Sequence, residues 1–427
     1  MRLFSIVVCL GIACIVNGQS VLFTQAQKAK SEGKYDEAYK LYKQAADEFI
    51  AKDAALSYVE TYLEMIDCQL LTGDPFLAKS LSENTLTYIQ TEIEASKTLI
   101  ARTYTLLGFS WLNLGRSDEA LKNLKEAEKL FGAGETVEKA TCFNALGLAY
   151  WNNGNKALAL QYLEQALTSR RSLLGRDALE VGDSFNNLGL IYQQDEPLQA
   201  LIYFNQARRI YEKKLGEKDR KTALVITNMA LANKFHQNFE EALNLLEQVK
   251  VIYSSTYAGD HPTKAFIESS IGRVLRDKKE INQAIVHQNN ALQMYIRMFG
   301  EKHPDVANTY YLIGQIYQSN ASFAEAVTYF QQSIYSNFAD QSPNGMYDLP
   351  TLDNYFNADI LLSSLQAKAI ALEALHYEKT LNTIDLKATI ETYKLCDELI
   401  SLIRRQRLSE QDKLKLGSVA KEVYESG

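Results

Sequence analysis

The chain has 427 residues, of which 46% are hydrophobic and 23% charged, and its formal net charge is −7. This composition excludes an intrinsically disordered chain, and the acidic balance argues against a general nucleic-acid-binding surface, which is normally basic. A chain of this length is too long for one ordinary core but suits a stack of repeated units.

The first eighteen residues have the pattern of a secretory signal peptide. Arg2 supplies a positive charge, and an apolar run from Leu3 to Val16 leads to a small-residue cleavage site that ends at Gly18. The run is short for a transmembrane helix. Lipidation at Cys14 and a retained anchor remain alternatives to cleavage. The pattern predicts an exported protein without a stable transmembrane anchor.

Beyond residue 19, a small residue recurs in the middle of a helical segment at intervals of 39 to 42 residues, and a second follows about twelve positions later. The first series, called here the ladder, is Gly108, Gly147, Gly189, Ala230, Gly272 and Gly314; the second is Ala120, Ala159, Ala200, Ala242, Ala284 and Ala326. A fixed period of this length indicates an array of helix pairs. Small residues at these positions allow the two helices of a pair to cross closely.

The repeated pattern resembles the tetratricopeptide repeat, which has a small residue in the first helix, an aromatic residue three positions later, Gly at the turn and two Ala on the second helix. One full match is Gly147, Tyr150, Gly154, Ala159 and Ala166. The resemblance implies an all-α, right-handed superhelical α-solenoid of about eight helix pairs over residues 19–335. The repeated tyrosines are predicted to fill the core.

The connectors between pairs resemble those of the longer, kinesin-light-chain type of repeat. Gly259-Asp260-His261-Pro262 is one, and the segment from Phe299 to Pro304 is another. Gly ends one helix and Pro begins the next. His261 and His303 lie 42 residues apart, and because equivalent positions in stacked repeats are too far apart to share an ion, we expect them to cap helices.

Residues 336–353 break the period and predict a loop, and residues 354–427 predict a C-terminal helical extension. Its helices are expected near 357–375 and 385–405, and a last one is capped by Ser409 and ends near Tyr424. Segments such as Gln366-Ala367-Lys368-Ala369 and Ala420-Lys421-Glu422-Val423-Tyr424 resemble the link between the repeats and a caspase-like CHAT peptidase domain. That resemblance implies the scaffold half of an envelope protein of a Bacteroidetes-type bacterium, truncated or split from a peptidase domain that would begin at Gly427 and is missing from this chain.

The sequence predicts no enzyme, cofactor or metal site. No nucleotide-binding or hydrolase motif is present, and the His376 and Cys396 pair has no strand or oxyanion-hole pattern beside it. Cys68, Cys142 and Cys396 lie in separate repeats and are expected to be buried apolar side chains.

In repeats of this class the first helices line the concave inner face, so the resemblance implies that function lies there, at positions three before and one and four after each ladder residue. The candidate partner-binding residues are Asn144, Trp151, Asn186, Gln193, Thr227, Lys234, Ser269, Arg273, Arg276, Tyr311, Gln315 and Gln318.

Asn144 and Asn186 resemble the asparagines that hold extended peptides in kinesin-light-chain-like repeats, since an amide can both donate to and accept from a peptide backbone. Alternatively, Asn187 and Asn228 only bond neighbouring helices. The basic pair Arg273 and Arg276 either contacts a partner or is neutralised by the adjacent Asp277.

Three functions compete. The first is an exported scaffold that binds a protein or peptide in its groove. The second is the regulatory or substrate-recruiting part of a CHAT-type peptidase whose catalytic domain is missing from this chain, either lost or encoded next door. The third, catalysis by His376 and Cys396, has the weakest basis. The sequence does not identify the partner or the oligomeric state.

Overall fold

A computed structural model of the chain describes residues 20–93, 95–343 and 345–406, with side chains to residue 403. The predicted signal peptide at 1–18, including Cys14, lies outside the described residues. So does the predicted last helix from Ser409 to Tyr424.

The described chain is helical almost throughout. Its helices are α1 (Val21–Ser31), α2 (Tyr35–Ala51), α3 (Ala55–Thr72), α4 (Pro75–Glu92), α5 (Lys97–Asn113), α6 (Ser117–Phe131), α7 (Val137–Asn152), α8 (Lys156–Leu174), α9 (Leu179–Tyr192), α10 (Pro197–Leu215), α11 (Arg220–Phe235), α12 (Phe239–Thr256), α13 (Pro262–Asp277), α14 (Ile281–Phe299), α15 (Pro304–Ser319), α16 (Phe323–Ser336), α17 (Ala358–Leu375) and α18 (Thr383–Gln406), with a π turn (His376–Thr380) between the last two. In the described ranges, β pairing is limited to one isolated bridge between Phe338 and Tyr355.

The helices form two compact units, one ending at Asn187 and the other beginning at Leu188. Helices α1 to α16 make eight consecutive pairs, and we call the first helix of each pair the A helix and the second the B helix. Within the first unit α3 contacts α5 and α5 contacts α7, and within the second α11 contacts α13 and α13 contacts α15. Within each unit these A helices therefore lie side by side, and the predicted all-α fold of repeated helix pairs is confirmed.

Helix starts are set by local chemistry. Pro262 and Pro304 occupy the first positions of α13 and α15, where a missing N–H does no harm. The side chains of His261 and His303 each accept a hydrogen bond at 3.2 Å from the backbone N–H two residues later. The prediction that these histidines cap helices is confirmed. Each imidazole also stacks on an aromatic ring of the preceding segment, with His261 3.6 Å from Tyr257 between ring centres.

The ladder residues lie where A and B helices touch. A Cβ atom added to Gly147 would lie 2.6 Å from Cγ of Leu163, and one added to Gly314 would lie 2.6 Å from Cδ1 of Phe330. Both distances are shorter than a normal carbon contact, about 3.5–4.0 Å. The close approach of the B helix therefore leaves little room for a side chain at these two positions, in line with the small residues that the repeat pattern predicts.

The repeated tyrosines contribute to the same A–B contact. Tyr150 stacks on Tyr162 at 5.5 Å, and Tyr317 stacks on Tyr329 at 5.1 Å, with ring planes nearly parallel in both pairs. Tyr150 and Tyr317 are half-buried. They close the edge of the core, with one side of the ring against the B helix, and do not fill its centre.

The described residues between α16 and α17 are non-helical, and α17 begins at Ala358, close to the helix start expected near residue 357. Asn337 and Phe338 are fully buried, and the Asn337 side chain donates to the carbonyl of Asn357 at 2.6 Å and accepts from its N–H at 3.0 Å. The polar composition of this segment concealed its packing, which places α17 against α15 and α16.

Candidate protein-binding surface

The predicted inner-face residues of the first unit include two buried asparagines. Asn144 and Asn186 are 6% and 8% exposed. The Nδ2 of Asn187 donates to the Oδ1 of Asn144 at 2.9 Å, which joins α9 to α7. In this unit the alternative role, bonding between neighbouring helices, is therefore present. The bond occupies the amide oxygen of Asn144.

In the second unit a chain of polar contacts crosses three A helices. Lys234 of α11 pairs with Asp277 of α13 at 2.6 Å. Asp277 also accepts from Nε of Arg276 at 2.9 Å. Arg276 then donates from Nη1 to Oε1 of Gln315 on α15 at 2.7 Å, and Gln315 donates to the Tyr311 hydroxyl at 2.7 Å. Five of the predicted positions or their neighbours thus form one network.

The charges of this network are mutually compensated. Lys234 is only 9% exposed, so its ammonium needs the Asp277 carboxylate. Burial by itself would raise the pKa of Asp277, but hydrogen bonds and charges from Lys234 and Arg276 hold that pKa below its usual value. Arg276 is therefore tied to Asp277, which was the alternative for this side chain.

Arg273 lies one turn before Asp277 on α13 and is half-buried. Within the part of the chain that the structure describes, its guanidinium forms no ion pair and no hydrogen bond. Burial, together with the charge of Arg276, lowers the pKa of Arg273, and Asp277 offsets only part of this effect. Arg273 is thus a partly desolvated cation whose charge is only partly balanced by a nearby anion.

The remaining predicted residues lie outside this network. Thr227 is buried, and its hydroxyl donates to the Ala223 carbonyl within the same helix. Gln193, which follows the end of α9, donates from Nε2 to the carbonyl of Asn228 on α11 at 2.8 Å. Ser269 is buried, and its carbonyl accepts from Gln288. Trp151 and Gln318 are half-buried.

Sequence reasoning missed a charged cluster and a cavity in the first unit. Lys30 of α1 pairs with Glu64 at 2.7 Å and with Asp67 at 2.5 Å on α3. Burial would lower the pKa of Lys30, but the two carboxylates raise it above its usual value. Beside this cluster, a cavity of about 190 Å³ is lined by Arg102 and Glu138, among others. Arg102 lies six positions before the ladder residue Gly108, and this charged residue on an A helix was the signal by which the sequence could have revealed the cavity.

The candidate catalytic pair has no catalytic arrangement. Nδ1 of His376 lies 2.8 Å from the Asn382 carbonyl oxygen, which ties the imidazole to the turn before α18. Cys396 is fully buried in an apolar cluster with Leu399 and Ile400, and burial raises the pKa of its thiol to about 12. A nucleophilic cysteine needs the thiolate form, so this thiol is held in the unreactive state.

The remaining described cysteines and the residue types that bind metals were compared with the sequence predictions in the same way. Cys68 and Cys142 are buried, as predicted. Among the residues that the structure describes, no group of three His, Cys, Asp or Glu side chains is placed to hold a metal ion. None of the described helices is both long enough and apolar enough to cross a membrane.

The helix pairs and the close contacts at the ladder define an α-helical repeat protein. The family model for the tetratricopeptide repeat matches residues 99–172, 138–213, 180–255 and 263–334, which together make up more than half of the chain. The chain belongs to the tetratricopeptide repeat family.

Two relatives show how far the similarity extends. The chain is 26% identical over 138 residues to the Clustered mitochondria protein homolog of Homo sapiens, a match that covers 32% of this chain and 10% of the relative. It is 22% identical over 278 residues to Protein KINESIN LIGHT CHAIN-RELATED 2 of Arabidopsis thaliana, which covers 64% of this chain and 40% of the relative. The chain thus spans well under two thirds of the length of either protein.

Two solved structures share the fold. A Rap protein complexed with Competence and Sporulation Factor aligns with a TM-score of 0.55 at 12% identity, covering 86% of this chain and 99% of that one. NprR in complex with its cognate peptide NprX aligns with a TM-score of 0.50 at 15% identity, covering 86% and 97%. At these identities the similarity shows the fold alone.

Proposed function

We propose that this chain is a protein–protein interaction scaffold whose A helices bind an extended segment of a partner protein on their inner face. Family membership supports the general class, and NprR, which has the same fold, forms a complex with its cognate peptide NprX. The acidic net charge of −7 favours a protein over a nucleic acid as the partner.

The observation that carries this proposal is Arg273. A partly buried guanidinium is destabilised unless an anion or hydrogen-bond acceptor contacts it, and Arg273 forms no ion pair or hydrogen bond among the described residues, since Asp277 acts on it only at longer range. A carboxylate of the partner would provide this acceptor and form a paired, charge-assisted hydrogen bond. We therefore place an acidic side chain or a chain-terminal carboxylate of the partner at Arg273.

The surrounding network prepares the surface for binding. Because Arg276 is held by Asp277 and Gln315, and Lys234 by Asp277, these side chains have already lost their freedom before a partner arrives. Binding to such a surface requires little further ordering of the scaffold, which favours affinity.

Replacing Arg273 with methionine is expected to weaken partner binding about 10- to 100-fold, since a hydrogen bond to a charged group contributes about 1.5–3 kcal/mol. The partner is first captured from a cell-envelope extract with the wild-type chain and identified. Its binding segment is then titrated calorimetrically against wild type and Arg273→Met.

Lys214→Met is the matched control, because Lys214 is an exposed cation on a B helix of the same unit. It should bind as the wild type does. Equal affinities for wild type and Arg273→Met would remove Arg273 from the binding surface and with it the basis of the proposal.

The cellular location of the protein is part of the same proposal. Residues 1–18 favour export to the periplasm or beyond the cell, and sequencing the N-terminus of the mature protein for a start at Gln19 tests this. A second candidate role, substrate recruitment for a CHAT-type peptidase, is supported by the resemblance of segments such as 366–369. It predicts that the captured partner is such a peptidase or its substrate.

A further inference from the structure

The cavity of the first unit lies between three successive A helices. Its apolar lining consists of Leu63 from α3, Leu106 from α5 and Val137 from α7. The volume of about 190 Å³ is smaller than the roughly 300–1,000 Å³ of pockets that enclose whole small-molecule ligands. A cavity of this size suits one side chain of a larger molecule.

Charged groups also line the cavity. Glu64 and Asp67 come from α3, Arg102 from α5 and Glu138 from the first turn of α7. Lys30 pairs with both Glu64 and Asp67, so one ammonium faces two carboxylates there. One negative charge of that cluster is left without a balancing cation.

Glu138 and Arg102 differ from that cluster, because neither forms an ion pair with any residue in the described ranges, nor do they pair with each other. Both side chains are half-buried. Together with Lys30, the cavity and its border hold three carboxylates against two cations. The excess charge is negative, and one carboxylate, that of Glu138, is uncommitted.

We propose that this cavity binds the side chain of a lysine or arginine residue of a partner protein. The methylene groups of such a side chain pack on Leu63, Leu106 and Val137, as long basic side chains do on apolar surfaces. Its charged end meets the Glu138 carboxylate and the surplus negative charge near Glu64. The inference rests on the proposed function only in that the ligand is part of a polypeptide, and it concerns a different unit from Arg273.

The test uses the full chain and a small probe in place of the unidentified partner. N-acetyl-arginine amide is titrated into protein with labelled Leu and Val methyl groups, and the shifts of the Leu63, Leu106 and Val137 methyl resonances are followed by NMR. N-acetyl-citrulline amide has nearly the same shape without the charge. Arginine is expected to bind at least fivefold more tightly than citrulline.

Two variants give opposite expected results. Glu138→Gln should weaken binding of the arginine probe at least threefold, whereas Arg102→Gln should strengthen it by removing a competing cation. Glu92→Gln, an exposed position at the end of α4, should leave binding unchanged. Because one variant is expected to gain affinity, a loss of folding cannot imitate the full pattern.

Equal shifts with arginine and citrulline would overturn the proposal. So would weaker binding of the arginine probe in Arg102→Gln with no effect of Glu138→Gln, because the charge of the probe would then not be recognised by the Glu138 carboxylate. The probe experiment needs no partner and does not involve Arg273. A failure here therefore leaves the capture experiment with Arg273→Met interpretable, and the reverse is also true.

Discussion

Replacing Lys368 with methionine is expected to remove a pH dependence of about 3 kcal/mol from the free energy of unfolding between pH 7 and pH 9.5. Burial lowers the pKa of Lys368 from its ordinary value of 10.5 to about 7. Each unit of difference between the folded and unfolded pKa corresponds to about 1.4 kcal/mol. Wild type should therefore gain stability relative to Lys368→Met as the pH rises through this range.

The sign follows from proton binding. Between pH 7 and 10.5 the unfolded chain holds a proton on Lys368 that the folded chain has largely released. Stability rises with pH wherever the unfolded state binds more protons. The unfavourable contribution of Lys368 is fully present below pH 7 and fades as the pH approaches the unfolded value.

The geometry explains why this lysine is tolerated. Lys368 on α17 is completely buried, and its Nζ donates to Oε1 of Gln331 at 2.6 Å and to the carbonyl of Asp348 at 2.9 Å. Gln331 in turn donates to the Asp348 carbonyl at 3.0 Å. The amine thus joins α16, α17 and the connecting segment through neutral acceptors, which a neutral amine can satisfy as well as a charged one.

Urea unfolding of wild type, Lys368→Met and Lys387→Met at pH 7, 8 and 9.5 measures the effect. Lys387 is exposed on α18, so its replacement should run parallel to wild type. The hydrogen bonds lost in Lys368→Met add an almost pH-independent term, and only the difference in slope is diagnostic. Parallel curves for all three proteins would mean that Lys368 is charged in the folded state.

The burial of Lys368 illustrates what sequence alone does not reveal. Its neighbours Ala367 and Ala369 predict a helix but no single buried face. The helix is covered because residues 337–357 fold back with Phe338 in the core, and no local pattern records that contact. The same limitation hid the packing of that segment.

Contacts on the inner face were easier to predict because the repeat period shows which residues occupy equivalent positions in neighbouring helix pairs. Lys234 and Asp277 are 43 residues apart, one period plus one, so their pairing follows from the stacking of equivalent positions. The cavity of the first unit was missed for the converse reason. The repeats around Glu64 diverge from the pattern, and no ladder residue marked which side chains of α3 face α5 and α7.

The ladder itself was predictable because it depends on local spacing, and it yields a large expected effect on stability. Gly314→Leu is expected to destabilise the protein by about 3 kcal/mol or more. Its Cβ would lie 2.6 Å from both Cδ1 and Cε1 of Phe330. Phe330 is fully buried, so the ring cannot swing into solvent. Overpacking of this kind typically costs about 1–3 kcal/mol for small insertions.

Gly314→Ala separates the collision from helix propensity. Alanine should by itself favour the helix by about 1 kcal/mol over glycine, so an overall loss in this variant would measure the clash with Phe330. Ala230 holds the same register in α11 and is fully buried. The spacing in that pair therefore accommodates the methyl group that the α15–α16 pair should reject.

A double-mutant cycle tests whether Phe330 is the cause. Phe330→Ala alone should cost about 3–5 kcal/mol by leaving a cavity. In the double variant the leucine at position 314 would occupy part of that cavity, so the two losses should fall short of additivity by about 2 kcal/mol. Chemical unfolding followed by far-UV circular dichroism gives all four free energies. Strict additivity would show that the leucine is rejected by the helix backbone, and the ladder would then depend on backbone approach and not on the ring that faces it.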